Sequence, residues 1–308
     1  MDNAPISPQE LRELYARGVN IMGRFREATG TAENSTDAIL ASYDLQSGSY
    51  TAAALKPERR ELLDRYTSEI AAVLDPLGAA RMLEAGVGEA TTLCPVIGKM
   101  QHRPESIAGF DISWSRLAFA RQYAGTFGLD QIRFFTGDLF RIPIVDHAYD
   151  VVYTAHAVEP NHGRECEILR ELYRVARQWL VLFEPSYELG SAATRQHIET
   201  HGYCRGLPDL AREFGWEIVR HELLRHPVRD TNQTAALVIR KTPVAAAPAP
   251  QSIFGCPLCR AALRPVRGQL FCADCGRVFP VLDDIPCLIG ANGILASKFE
   301  DVTPGSAR

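Results

Sequence analysis

The chain has no apolar run near the 18 or more residues that a membrane span needs, and it opens on the polar, acidic MDNAPISPQELREL. Neither a secretory leader nor a transmembrane anchor is expected, so a cytoplasmic location is. It also lacks a basic excess. Its 33 Lys and Arg face 37 Asp and Glu for a net charge of −4, without a clustered basic stripe. That speaks against nucleic acid as a partner, because phosphate binding leaves a positive footprint. Cysteine is sparse through the first 250 residues, where Cys94, Cys166 and Cys204 are scattered and read as small buried hydrophobes. No internal repeat is present.

What remains is an ordinary globular composition, 46% hydrophobic and 23% charged over 308 residues. That length suits one large domain and a small one. The clearest boundary is KTPVAAAPAPQS, whose Pro and Ala predict a semi-extended linker over 242–252. Before it, helical and strand-like segments alternate. PERRELLDRYTSEIAAVLDPLG carries apolar residues at helical spacing, with Pro57 at its start and Gly78 at its end. RMLEAG, SIAGFD, IRFFTGD, YDVVYTAHA and WLVLFEPS read as strands buried on both faces. Helical stretches fall between several of them, including SWSRLAFARQYAGTFG and RECEILRELYRVARQ. WEIVRHELL and TAALVIRK follow as a strand pair. The pattern predicts an α/β fold with a doubly wound, mostly parallel seven-stranded sheet over 57–241, closed by an antiparallel hairpin. Residues 1–56 have weaker periodicity and predict a helical lid.

The turn MLEAGVGEA lies at the carboxyl end of the first strand, where open α/β sheets bind ligands. A dinucleotide site would want a third glycine at position 91, which is Thr91. Glu84 and Glu89 flank the turn, and two carboxylates would repel a pyrophosphate. A ligand with a cationic end fits better, and S-adenosylmethionine, with its ammonium and sulfonium, is such a ligand. The second strand ends at Asp111, placed to accept from both hydroxyls of a ribose, with Ile112 beside it to pack on adenine. The third ends at Asp138, placed to accept from the adenine amino group.

The series EAGVGEA, FDIS, TGDLF and YDVVYTAHAVEP resembles the motifs of class I S-adenosylmethionine-dependent methyltransferases, with a Rossmann-like fold. The resemblance implies Glu84, Gly86 and Gly88 around the methionine part, Asp111 at the ribose, and Asp138 with Leu139 at the adenine. The chain departs from the family at Ala90, where a third glycine is common. After the fourth strand, TAHAVEPNHGRE faces the transferable methyl group in such a fold. It lacks the Asn/Asp-Pro-Pro-aromatic signature of enzymes acting on base amino groups, and resembles the loop of small-molecule methyltransferases. His156, Glu159 and His162 are the candidates for taking the acceptor's proton, with Asn161 as an orienter. Glu184 and Tyr187 are expected at the same rim, and Tyr43 and Tyr50 are expected to fold over it. The combination of these segments resembles methyltransferases encoded among cell-surface glycan genes, which implies a small-molecule or glycan acceptor.

Five of the eight cysteines follow residue 250. Cys256-x-x-Cys259 and Cys272-x-x-Cys275 have the spacing of a zinc ribbon, predicted over 253–292 with a flexible tail at 293–308. With no histidine in the module, four thiolates would fill the shell of Zn²⁺ and leave no position for water, so the site is expected to be structural. Metal binding would then supply much of the folding energy of so small a module. The continuation CGRVFPVLDDIPCLI makes it resemble the zinc-ribbon activator subunit of eukaryotic and archaeal methyltransferases. That resemblance implies a ribbon that binds and stabilises a methyltransferase, here in the same chain. From residue 251 onward six Lys/Arg stand against five Asp/Glu, net +1. Four thiolates with Zn²⁺ add −2, leaving about −1, a poor footprint for phosphates.

The leading expectation is a methyltransferase acting on a small or carbohydrate-like acceptor. An RNA or protein substrate and a non-catalytic scaffold are the alternatives. The acceptor atom and the oligomeric state, self-association included, stay open.

Overall fold

The structure, a computed structural model, describes residues 6–31, 33–242 and 252–302. Residues 243–251, most of the expected linker, lie outside them. Among the described residues no helix is long and apolar enough to cross a membrane.

The N-terminal segment is a run of helices: α1 (Pro8–Ala16), α2 (Ile21–Thr29), α3 (Thr36–Leu45) and α4 (Ser49–Ala54). Each of the first three starts where a polar side chain accepts an orphan N–H: Ser7 from Glu10, Asn20 from Gly23, Ser35 from Ala38. The body begins with α5 (Pro57–Leu74) and runs through β1 (Arg81–Ala85), α6 (Leu93–Lys99), β2 (Ser106–Asp111), α7 (Trp114–Gly125), β3 (Arg133–Thr136) and β4 (Tyr149–Ala155). Then come α8 (Glu165–Val175), β5 (Ala176–Pro185), α9 (Ala192–His201), α10 (Leu207–Glu213), β6 (Glu217–Leu223) and β7 (Thr234–Arg240).

The seven strands lie in the order β3-β2-β1-β4-β5-β7-β6. The first five are parallel, while β7 runs antiparallel between β5 and β6. The chain thus winds out from β1 in one direction and returns to wind in the other, which opens a crevice at the carboxyl ends of β1 and β4. Side-chain alternation splits the apolar residues between the two faces. Met82, Val151 and Tyr153 pack with Ile70, Leu93, Ile97 and Leu117 beneath α5, α6 and α7. Leu83, Ala85, Phe110, Phe135 and Val152 face α8 on the other side.

On that second face the connection between β3 and β4, residues 137–148, contains no helix. The C-terminal module covers the strands there. It contains the sheet β13-β10-β9-β8, from β8 (Arg264–Val266), β9 (Gln269–Cys272), β10 (Arg277–Phe279) and β13 (Ile294–Leu295), plus the hairpin of β11 (Val281–Leu282) and β12 (Ile285–Pro286). Leu263, Phe279 and Leu288 are fully buried in one apolar cluster with Phe135 and Leu169 of the body. Phe254 meets Phe135 edge-on, ring centres 5.1 Å apart. The Leu288 N–H donates to Thr136 Oγ1 at 2.8 Å, and Arg260 holds Glu171 through both carboxylate oxygens. The hairpin tip reaches α7, where Arg121 meets the Asp283 carbonyl and the Asp284 carboxylate. The expected tail at 293–308 is corrected in its first part. Strand β13 pairs with β10, and Arg264 pairs with Glu300, so the fold continues through residue 302.

Candidate functional site

At the carboxyl end of β1 the chain turns sharply. Gly86, Gly88 and Ala90 all adopt positive φ (73°, 55° and 57°). A Cβ on Gly86 would collide with Ala157, and one on Gly88 would displace the Arg116 guanidinium. At the third position an alanine holds the left-handed backbone, which L-residues adopt at some cost. The N–H groups of Gly86 and Val87 both donate to the Phe110 carbonyl, at 2.8 and 2.9 Å, fastening the turn to β2.

The turn walls one cavity of about 590 Å³, within the range of small-molecule sites. Glu84, Gly86, Gly88, Asp111, Ile112, Asp138 and Leu139 all line it, so the structure brings together every residue that the sequence assigned to a cofactor. Glu84 is buried, and its Oε2 accepts from the Tyr153 hydroxyl at 2.6 Å. Burial raises its pKa to about 8, against the lowering effect of that hydrogen bond. Asp111 accepts from the Gly88 and Ser113 N–H groups, at 2.9 and 3.0 Å. Asp138 accepts from Phe140 N–H at 2.9 Å, and burial shifts its carboxyl upward.

Glu89 has a different role. Its two oxygens accept from the Gly48 and Thr51 N–H groups, at 2.9 and 2.7 Å. They satisfy the start of α4, where Gly48 offers no side-chain cap. The turn and the lid are therefore joined by one carboxylate. Asp44 of α3 also accepts from the Ser113 hydroxyl at 2.7 Å. The rings of Tyr43 and Tyr50 lie on Arg116, centroids 5.0 and 4.7 Å from the guanidinium carbon. Both tyrosines line the cavity, as the lid expectation required.

Of the acceptor-side candidates, His156, Glu159 and Asn161 line the cavity. His156 holds φ at 59°, and both its ring nitrogens are engaged: Nδ1 with Glu159 Oε2 and Nε2 with Thr234 Oγ1, each at 2.8 Å. Burial disfavours its charge, but the carboxylate of Glu159 outweighs this and its pKa is raised. Three sequence assignments are corrected. His162 is not among the lining residues; it bonds Glu165 at 2.8 Å at the start of α8. Glu184 is buried beneath the loop, where its oxygens accept from the N–H groups of Ala157, Val158 and Glu159. Tyr187 turns away, its hydroxyl donating to Glu199. The sequence also missed Arg59, Arg116, His197, Tyr203, Arg229 and Asn232, all in the wall. They come from helices and loops without a motif, so only the three-dimensional convergence finds them.

The second candidate centre is the cysteine module. The sulfurs of Cys256, Cys259, Cys272 and Cys275 all lie within 4.8 Å of one another, with two pairs at 3.7 and 3.4 Å. A tetrahedral ion with metal–sulfur bonds near 2.3 Å needs sulfurs about 3.8 Å apart. The donor set fits such an ion. It sits away from the cavity, in the module's own turns.

The family described as "Methyltransferase domain" matches residues 82–178, from within β1 to within β5. That stretch, about a third of the chain, matches a methyltransferase domain. Among solved structures it is similar to magnesium protoporphyrin IX methyltransferase (ChlM) from Synechocystis PCC 6803, with bound SAH. Identity there is 15%, covering 77% of this chain and 100% of that one, at a TM-score of 0.47. A SAM-dependent methyltransferase from Aquifex aeolicus is 17% identical over 62% of this chain and 97% of its own, at 0.43. The cyclase SpnF is 21% identical over 59% of this chain and 82% of its own, at 0.46.

Proposed function

We propose that the chain transfers a methyl group from S-adenosylmethionine to an oxygen or nitrogen of a small, carbohydrate-like acceptor, and that a zinc ribbon braces the catalytic domain. The observation that carries the reading is the meeting of Glu84, Asp111 and Asp138, from three strand ends, in one cavity roofed by Tyr43 and Tyr50. When bound, the cofactor supplies an electrophilic methyl group on a sulfonium.

The chain's own residues then do the following. Glu84 offers a carboxylate to the cofactor's cationic end, with Tyr153 fixing its second oxygen. Asp111 accepts from two hydroxyls and Asp138 from an exocyclic amine, while Ile112 and Leu139 give apolar faces to a base. Glu159 takes the acceptor's proton, and His156 orients it through the bond to its Oε2. Holding two reactants in line supplies much of the rate in such a transfer. The roofing by α3 and α4 favours an acceptor small enough to enter beneath it. In the ribbon, Cys256, Cys259, Cys272 and Cys275 would hold Zn²⁺, which completes a closed shell and supplies structure rather than chemistry.

Calorimetry tests the cofactor assignment. S-adenosylmethionine binds the full chain, and Asp111→Ala weakens it tenfold or more; undiminished binding in that variant would sink the reading. Labelled S-adenosylmethionine with fractionated cell extract then asks whether label enters small molecules, glycans, RNA or protein.

A further inference from the structure

The charges lining the cavity are not evenly matched. Every acid in the wall already has a partner: Glu84 has Tyr153, Glu89 has the α4 backbone, Asp111 has Gly88 and Ser113, Asp138 has Phe140, and Glu159 has His156. Arg116 is stacked between two tyrosines and lies 3.9 Å from Asp111. Arg59 of α5 and Arg229 of the β6–β7 loop are different. Among the described residues neither forms an ion pair, and neither guanidinium makes a hydrogen bond, yet both line the cavity.

Arg59, from α5, and Arg229, from the loop after β6, line the same cavity. Arg59 is shifted below its ordinary pKa by burial first and by the charge of Arg229 second. The charge of Arg229 also reaches Tyr50, His156, His197 and Tyr203. Arg229 shares the cavity wall with Tyr43 and Tyr50 of the lid, Glu159 of the acceptor loop and His197 of α9. Asn232 lies three residues on, with its amide oxygen buried and unpartnered among the described residues. Two guanidiniums in one cavity wall, neither paired with a carboxylate among the described residues, complement an oxyanion held in bidentate fashion.

Resting on the methyltransferase reading above, we propose that the acceptor is a small molecule bearing a carboxylate or phosphate, and that Arg59 and Arg229 grip this anion while Glu159 serves the nucleophile. The anion is the handle and takes no methyl group. The acceptor's O–H or N–H lone pair forms the new bond to carbon, the carbon–sulfur bond breaks with its pair to sulfur, and the proton goes to Glu159. The methylated product keeps its negative charge.

The test uses the full chain, labelled S-adenosylmethionine and the small-molecule fraction of a cell extract, with products passed over an anion exchanger at pH 7. The label is expected on the exchanger. Release by alkaline phosphatase assigns a phosphate, and retention after that treatment assigns a carboxylate; label in the flow-through overturns the proposal. In Arg229→Gln, a solvent-exposed loop position, the KM for the retained fraction rises at least tenfold, Arg229→Lys restores part of it, and the Kd for S-adenosylhomocysteine stays unchanged. A parallel tenfold rise in that Kd would instead give the pair to the cofactor's own carboxylate and overturn the proposal. No label in any fraction, with S-adenosylhomocysteine still bound, would sink the transferase reading and this one with it.

Discussion

On the proposed function, Glu84 ties cofactor binding to a proton. Its carboxyl is pushed up to about 8 by burial from an ordinary value of 4.5, so near neutrality the free protein holds it protonated. The folded state then carries a proton that the unfolded chain has lost between pH 4.5 and 8. The group's contribution to stability therefore declines as pH rises through that window and is flat above it. A cationic ligand reverses the balance by favouring the carboxylate. Binding at pH 6.5 should release about 0.9 proton, after allowing for a ligand amine that titrates at roughly 7.7–8.0. Affinity should rise about eightfold from pH 6 to pH 7 for the same reason. The assay is calorimetry in buffers of different ionisation enthalpy, where the slope of the observed heat counts protons. Glu84→Gln keeps an oxygen for the Tyr153 hydroxyl and should abolish both the slope and the pH dependence, while weakening binding about tenfold or more. A slope near zero in the native chain, or the same slope in the variant, would refute the argument.

Three other outcomes follow from the geometry. Truncation after Lys241 uncovers Phe135 and its neighbours beneath the ribbon and should lower the melting temperature, since each large apolar side chain re-exposed costs about 1.5–3 kcal/mol; a truncated enzyme of full stability and activity would end the brace proposal. Removing the proposed zinc with a chelator should unfold residues 253–302, visible as new amide exchange there and at β3 against which they pack. Glu89→Gln replaces one acceptor of the α4 N–H groups with a donor; the expected result is faster proteolysis near residues 48–51 and a raised KM for the cofactor, with the melting temperature changed by no more than about 1–2 kcal/mol equivalent.

The sheet was legible because each of its first five strands is a short apolar run bounded by turn residues, and buried parallel strands read that way. The cavity floor was legible for a related reason. In a doubly wound sheet the ends of successive strands converge, so Glu84, Asp111 and Asp138 could be assigned from sequence position. Helix α9 was not read, because AATRQHIETH has only Thr194 and Ile198 buried and little apolar rhythm. Its signals are the cap at Ser191 and the left-handed Gly202. Glu89 and Glu184 were seen as residues but not as roles. A carboxylate that accepts N–H groups from a distant backbone looks, in sequence, like one that faces a ligand. His156 reads in sequence as a candidate base, and the partner that engages its Nε2, Thr234, is 78 residues away. Arg59 and Arg229 lie 170 positions apart on elements without a motif.

The ribbon takes the place of a helix between β3 and β4, and this sets an order on biosynthesis. Strands β1 to β5 leave the ribosome well before Phe254, Leu263, Phe279 and Leu288, yet one face of β3 stays uncovered until those residues arrive. The nascent body must wait, with apolar surface open, for the last 50 or so residues and the metal ion that we propose shapes them. Scarcity of that ion would thus be felt first as aggregation of newly made chains, before any enzyme already folded lost its activity.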